Sequence, residues 1–434
     1  MAIVDATGVR AGAGRLLACH VLHGRADLGA HLDVHGHLGR DAARHIADDV
    51  HDAGLTGRGG AGFPTALKWD LARHARRPTV VVNAMEGEPA SGKDKVLLRH
   101  APHLVLDGAQ LVASAVGAGE IVVCVADDDP RGQHSLVDAI AERAPGAFGR
   151  ADVRLTAPPA GYVSGEESAL ASYVAGGIAR PFFRARKGTV LVARRRAMLV
   201  HNAETLAHVA LVARHGAAWF RSAGSADAPG TTLVTISGDV AQPGVYEVER
   251  GQSVASLLAV AGGATEPCAV LLGGYGGTWI RPGQLGTPYA DRALRAIGAS
   301  PGAGVVAAVP AAACGLAEVA RIARYLAGES AGQCGPCVFG LPAIASDLSM
   351  IERGDGGKRA LARLAERLDA VAGRGACRHP DGVVRFVRSA LDVFATDVAN
   401  HARGAPCSSQ ARMPILPLPS RRASEAERQS SALR

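Results

Sequence analysis

Gly54-Leu-Thr-Gly-Arg-Gly-Gly-Ala-Gly-Phe-Pro-Thr-Ala-Leu-Lys-Trp69 is the stretch around which the rest of the chain is organised. Its five glycines let the backbone turn sharply and lie flat against a ligand, because no Cβ blocks the approach. Arg58 and Lys68 supply positive charge, and Trp69 offers a flat apolar surface. Backbone N–H groups and cations together suit a phosphate-bearing aromatic cofactor. The spacing Gly57-x-Gly59-x-x-Gly62 satisfies a dinucleotide fingerprint, but that fingerprint needs a strand before it. Residues 41–52 read instead as an amphipathic helix, so a standard Rossmann turn is not expected. A glycine-rich surface loop without a ligand is the competing reading.

Downstream, Pro78-Thr-Val-Val-Val-Asn83 is a short strand that empties into a polar run containing Glu86, Glu88, Lys93 and Asp94. Polar residues at the carboxyl ends of strands are candidate ligand contacts in α/β folds. Asn83 could hydrogen-bond a flavin or ribityl group, and Glu86 and Glu88 could hold a ribose or tune a ring. An exposed acidic turn is the plain alternative. A helix over 96–118, a strand over 120–126, a helix over 135–143 and a strand over 151–156 follow, the alternation of a parallel-sheet α/β domain. Gly165, Glu166 and Glu167 read as the capped start of a helix. Another helix begins near His201, Asn202 and Thr205.

From residue 230 the periodicity changes. Residues 232–248 read as a hairpin turning at Pro243-Gly244, 253–261 as a short helix and 269–280 as a strand, a ubiquitin-like α+β pattern. Beyond residue 313 four amphipathic helices, 316–327, 341–353, 358–372 and 383–398, suggest a bundle. Upstream of the glycine stretch, residues 1–40 hold small helical pieces and five histidines read as surface residues. The end, from Arg403, reads as disordered.

Cys334-Gly-Pro-Cys337 sits between two of the C-terminal helices, and Cys377 follows one further helix. With His379 two residues on, a structural zinc of Cys₃His type is one reading. An iron–sulfur cluster, which normally takes four thiolates, is the other. The remaining reading is inert thiols.

At 434 residues the chain is long enough for several domains. The net charge of +7 is carried mainly by arginine in patches, among them 184–187 and 194–196, rather than in a nucleic-acid stripe. We read those patches as attraction for an anionic cofactor or an acidic redox partner. The longest apolar run, near 302–313, is too short to span a membrane and contains Pro310. Eight cysteines without a recognisable secretion signal point to thiols or metal ligands, and to the cytoplasm.

Together, 54–69, 83–94, 162–170, 202–207 and 329–337 resemble, in order and spacing, the NADH-binding flavoprotein subunit of respiratory complex I and related diaphorase subunits. The resemblance implies an α/β FMN-binding domain, a β-grasp (SLBB-like) insert and a C-terminal helical bundle. The expected bounds are 1–37 for an N-terminal extension, 38–228, 229–312 and 313–402 for the three domains, and 403–434 for a disordered tail. By position, Gly57, Arg58, Gly59, Gly60, Lys68, Asn83, Glu86, Tyr162, Gly165, Glu166, His201, Asn202 and Thr205 correspond to the FMN pocket. Phe63, Glu88 and Glu167 correspond to the nicotinamide side, with Glu86 and Glu88 the candidate catalytic groups.

Cys334, Cys337 and Cys377 correspond to ligands of a [4Fe–4S] cluster. The implied chemistry is NADH oxidation through FMN and the cluster to a ferredoxin-like or quinone-linked partner. The protein would be cytoplasmic, without a transmembrane segment, and peripheral to a membrane through its partners.

The departures are specific. Ala331 stands at the family's first cluster cysteine, and Ser330 and Cys314 are the nearest substitutes in sequence. Met85 replaces an aspartate, His201 the first of two asparagines and Leu71 an aromatic, and an arginine-rich stretch replaces a proline- and aromatic-rich one. A non-catalytic scaffold, or a flavin carrier serving only proteins, is the alternative function.

Overall fold

The computed structural model describes residues 10–11, 14–24, 26–39, 41–75, 77–143, 149, 151–184, 190–264, 267–405, 407 and 414–419. The first unit is a five-stranded sheet. Its order is Asp152–Thr156, Glu120–Val125, Thr79–Ala84, Arg196–Asn202 and Leu191–Ala193. The first four strands are parallel, and Leu191–Ala193 is an antiparallel edge. Val80, Val81 and Val82 are fully buried, as expected of a central strand covered on both faces. From Thr79–Ala84 the chain first builds outward on one side, then returns on the other through Arg196–Asn202. That reversal opens a crevice between the carboxyl ends of these two strands, where α/β sheets bind ligands.

The structure divides the long helix expected over 96–118 into Lys93–His100 and Pro102–Val116. Pro102 lacks the N–H that an uninterrupted helix requires, so a new helix starts there. Pro102–Val116 packs against Ala203–Arg221 across the larger core, which holds Leu104, Val105, Leu206 and Val209.

The second unit is a six-stranded sheet ordered Arg10–Ala11, Gly244–Glu249, Thr231–Gly238, Val305–Pro310, Pro267–Leu272 and Thr278–Ile280. Its central pair, Thr231–Gly238 and Val305–Pro310, is parallel, and the expected hairpin between Thr231–Gly238 and Gly244–Glu249 is present. The apolar run at 302–313 supplies a strand buried at the middle of this sheet, where both faces are covered. The strand expected over 269–280 is a hairpin of two strands, because Gly273 and Gly274, at φ +86° and +94°, reverse the chain.

The third unit comprises Gly315–Gly328, Leu341–Glu352, Gly357–Val371, His379–Val393 and Ala395–His401. The last expected helix is therefore two, broken at Phe394.

The N-terminal extension is not a loose appendage. Arg10–Ala11 pairs with the second sheet beside Tyr246, and the amides of Arg15 and Leu16 donate to Glu247. His31 and His35 are buried rather than on the surface, and His31 Nε2 lies 2.9 Å from Asp107 Oδ2. Of the tail expected to be disordered, 406, 408–413 and 420–434 lie outside the described residues. Leu416, by contrast, is buried against the third unit.

Candidate functional site

Asn83 and Asn202 are register partners at the carboxyl ends of adjacent parallel strands. Strand alternation puts both on the same face of the sheet. Asn202 Oδ1 accepts from the Glu204 amide at 3.1 Å and caps Ala203–Arg221, while its Nδ2 donates to Asp94 at 2.6 Å. Asn83 Nδ2 donates to the Gly165 carbonyl at 2.8 Å. The two amides thereby tie the strand ends to both helix starts around the crevice.

The glycine loop runs from Ile46–Ala53 to Thr65–Arg73, between two helices, as the lack of a preceding strand implied. It closes on itself through the Gly57 N–H and the Phe63 carbonyl at 2.9 Å. Gly60 and Gly62 have φ of +99° and +60°. A Cβ on Gly59 would stand 3.3 Å from Asn202 Cβ, and one on Gly165 would stand 2.9 Å from Met85 Cβ. Glycine at both positions keeps the floor over the strand ends flat. Phe63 is exposed at the rim.

Lys68 ion-pairs with Glu167 and donates to the Val200 carbonyl at 2.6 Å, and Glu167 also takes Arg184 at 2.8 Å. Burial works to raise the Glu167 carboxyl, but Lys68 and Arg184 outweigh it and the net shift is downward. Glu166 Oε2 accepts from the amides of Ser168 and Ala169 at 2.9 and 3.1 Å, which caps Glu167–Val174.

Glu86 has φ +37° and turns its carboxylate back onto the start of Lys93–His100. It accepts from the amides of Asp94 and Lys95 at 3.1 and 2.9 Å and from Ser91 Oγ at 2.6 Å. An acceptor engaged in this way anchors the strand-to-helix turn. Glu88 lies deeper, between the first two units. It accepts from the Tyr275 amide at 2.7 Å, the Ala90 amide at 3.2 Å and the Tyr162 hydroxyl at 3.3 Å. Burial pushes its carboxyl up to about 7.

Other candidates are turned away from the open face. Trp69 is buried in the core rather than presented as a flat surface, and its indole N–H donates to His201 Nε2 at 2.8 Å. His201 points to the opposite sheet face from Asn202, and burial, with Lys68 nearby, holds it well below the ordinary histidine range. Thr205 Oγ1 accepts from the Arg58 amide at 2.9 Å, and the buried Arg58 side chain reaches Thr56 and the Thr231 carbonyl. Burial and Arg250 lower the Arg58 guanidinium to about 9. Arg194 and Arg195 form the turn between Leu191–Ala193 and Arg196–Asn202, at the opposite end of the strand from Asn202. Six residues of strand separate them from the site, roughly 20 Å. This part of the arginine patch does not face it, and 185–189 lie outside the described residues.

Sequence reasoning passed over a buried charge group at the seam between the first two units. Lys93 Nζ lies 2.7 Å from Asp94 and 3.0 Å from Glu204, and Arg250 pairs with Asp291. Thr232 Oγ1 and the Leu233 amide donate to Glu204 at 2.7 and 3.0 Å. Burial opposes the charge on Glu204, but Lys93 and neighbouring cations hold it well below the usual carboxylate range. These residues line a polar crevice of about 20 Å³ under the glycine loop, enough for one water. Lys93 directly after Gly92 at a helix start was the available signal.

The thiols gather where the first and third units meet. The Cys337 amide donates to the Cys334 carbonyl at 3.0 Å, which puts the two thiols on one turn, and Cys377 lies near enough to act on both electrostatically. Burial raises Cys337 to about 12, and Cys377 also moves upward. Glu166 is among the charges that raise Cys377. The Tyr162 amide donates to Glu329 at 3.0 Å, and the Tyr162 and His379 rings are 5.4 Å apart.

His379 Nε2 lies 2.8 Å from the Leu326 carbonyl, which commits that ring nitrogen to the backbone. Cys314, named above as a possible substitute ligand, is elsewhere. It caps the start of Gly315–Gly328, whereas the thiol site follows the end of that helix. Fourteen residues of helix put roughly 20 Å between them.

Residues 50–211 match the Nuo51 FMN-binding domain, 233–278 the SLBB domain, and 317–401 the NADH-ubiquinone oxidoreductase-F iron-sulfur binding region. An NADH-quinone oxidoreductase component of Rhizobium meliloti, the one designated F 2, is 30% identical over 385 residues, covering 85% of this chain and 91% of the relative. This chain belongs to the NADH-quinone oxidoreductase F family. The alpha component of the NAD-reducing hydrogenase HoxS of Cupriavidus necator is 35% identical over 292 residues, which are 62% of this chain and 46% of that one. A solved NAD⁺-reducing [NiFe]-hydrogenase in its H₂-reduced state superposes with a TM-score of 0.78 at 32% identity, covering 90% of this chain and 67% of that one.

The family match carries an FMN-binding domain, and the residues present fit that cofactor. A flat glycine loop that a Cβ would obstruct lies over paired amide side chains, with Lys68 at its edge. The iron–sulfur region retains three thiols in one place. They fit a cluster held by three cysteines; Ala331 supplies no fourth sulfur.

Proposed function

We propose that this chain oxidises NADH on the open face of the glycine loop and delivers the electrons to a redox partner protein. Bound there, FMN would exchange a two-electron hydride donor for one-electron carriers. The Gly57, Gly59 and Gly60 backbone and Lys68 are the candidate phosphate-side groups. Asn83, Asn202, Gly165 and Glu166 line the strand-end side, and Phe63 and Glu167 stand at the rim for the nicotinamide nucleotide. Glu86 and Glu88 hold the turn that shapes this face, and Arg58, Tyr162, His201 and Thr205 support it from behind.

One observation carries the reading: the Tyr162 amide, on the segment that runs into Gly165 and Glu166, donates at 3.0 Å to Glu329, which leads into Cys334 and Cys337. A carrier held by Cys334, Cys337 and Cys377 would therefore stand next to the flavin face. The three folded units support a division at 38–228, 229–312 and 313–402. Among the described residues no helix is long and apolar enough to cross a membrane. We take the chain as a cytoplasmic component joined to its complex through partners, among which an acidic ferredoxin-like protein suits the +7 charge. Ala331 favours one second reading, a protein that has lost the cluster and keeps a binding role.

The test is NADH oxidation by the purified, FMN-reconstituted chain with an artificial one-electron acceptor. Turnover that requires added FMN is expected. No turnover with full flavin occupancy would contradict the reading.

A further inference from the structure

A second soft-ligand cluster lies at the far end of the helical unit, away from Cys334, Cys337 and Cys377. Cys314 caps Gly315–Gly328, His401 ends Ala395–His401, and Cys407 follows it. Their ligand atoms all lie within 4.8 Å of one another, the one such group of three His, Cys, Asp or Glu side chains among the described residues. His401 is fully buried.

The histidine is oriented for coordination. Its Nδ1 is 2.6 Å from the Glu352 carbonyl, and a carbonyl can only accept, so the ring proton sits on Nδ1. Nε2 then carries a lone pair, at present taken up by the Cys407 amide. It faces Cys314 Sγ at 3.8 Å and the Cys407 amide at 3.1 Å. An imidazole tied through one nitrogen to a carbonyl, with the other aimed at two thiols, is the outer-shell arrangement metal-binding histidines use. Tetrahedral zinc with bonds of about 2.0–2.3 Å would set ligand atoms about 3.5–3.8 Å apart, against 3.8 Å from Nε2 to Cys314 Sγ and at most 4.8 Å for the other pairs.

We propose that Cys314, His401 and Cys407 bind a divalent zinc-class cation, with water completing the tetrahedron. Two thiol protons leave for solvent, so two thiolates and a neutral imidazole balance the ion's charge. The Cys407 amide gives up its bond to Nε2. The ion clips the end of the chain to the helical unit. The segment beyond continues along the same surface: the Ile415 amide donates to Glu318 at 3.1 Å, and Arg321 donates to the Leu416 carbonyl at 2.6 Å. Tyr275, whose amide holds Glu88, donates its hydroxyl to the Pro417 carbonyl.

The test measures metal in the full-length chain, purified anaerobically, supplied with zinc and dialysed against a weak chelator. About one zinc per chain is expected to remain, and to be lost in Cys407→Ala with iron and sulfide content unchanged. Cobalt substitution should add thiolate-to-cobalt absorption that Cys407→Ala also removes. Cys407 is only partly buried, and His401→Gln provides a second variant. Zinc that washes out of the unmodified chain, or stays in Cys407→Ala, would overturn the proposal. So would a Cys314–Cys407 disulfide in the anaerobic protein.

Discussion

Asn83 and Asn202, 119 residues apart in the chain, face each other across one step of a parallel sheet, and the Asn202 Nδ2 lies 3.4 Å from the Asn83 carbonyl. This pair closes the crevice at the sheet's reversal, and each member also fixes a neighbouring helix start. Asn202→Ala is expected to remove a helix cap worth about 1 kcal/mol and to lower flavin retention. Asn202→Asp keeps the cap but sets a second carboxylate beside Asp94. It should melt below the unmodified chain at neutral pH, recover part of that loss as the carboxyl pair takes up a proton at lower pH, and release flavin more readily. Thermal melts and flavin-to-protein ratios on both variants separate the two effects.

Gly59→Val tests the flatness of the loop. The residue is exposed, but its Cβ would stand 3.3 Å from Asn202 Cβ, closer than ordinary contact, so Asn202 must shift slightly and a modest loss of stability is expected. Flavin affinity, read by fluorescence titration, should fall at least about tenfold, roughly 1.4 kcal/mol. An unchanged affinity would place the cofactor elsewhere.

Glu88 predicts a pH dependence of stability. Its folded value of about 7 lies above the ordinary 4.5, so the folded chain binds a proton more readily than the unfolded one between these values. The contribution is fully present below about pH 4.5 and disappears as pH rises through 7. Glu88→Gln should flatten this window, with a difference from the unmodified chain on the order of 1–3 kcal/mol across it. Parallel melting curves from pH 5 to pH 8 would contradict the assignment.

Ala331 makes the cluster region testable by addition. Ala331→Cys restores a fourth thiol beside Cys334 and Cys337 and is expected to raise iron retention in air. Cys377→Ser should lower it, with flavin content unaffected. Iron and acid-labile sulfide analysis reads both.

Features written locally were legible in the sequence. The glycine loop announced its flatness through spacing alone, and the motif order carried the family. Gly165 and Glu166 announced a helix start, and the structure has Glu166 as its cap. Features created by packing between distant segments were not legible. Lys93, Glu204, Arg250 and Asp291 become one charge group only after the first two units dock. Trp69 reads as a surface platform until the register shows that His201 faces the core and takes its N–H. Val305–Pro310 has no alternation to mark it because both of its faces are buried. Arg194 and Arg195 look like ligand cations until the hairpin puts them at the wrong end of the strand.

The most direct measurement is the anaerobic visible spectrum of the FMN- and iron-reconstituted chain before and after NADH. The account predicts that the flavin bands bleach and that the broad iron–sulfur absorption falls with them. Flavin bands that dithionite bleaches but NADH leaves untouched would contradict it.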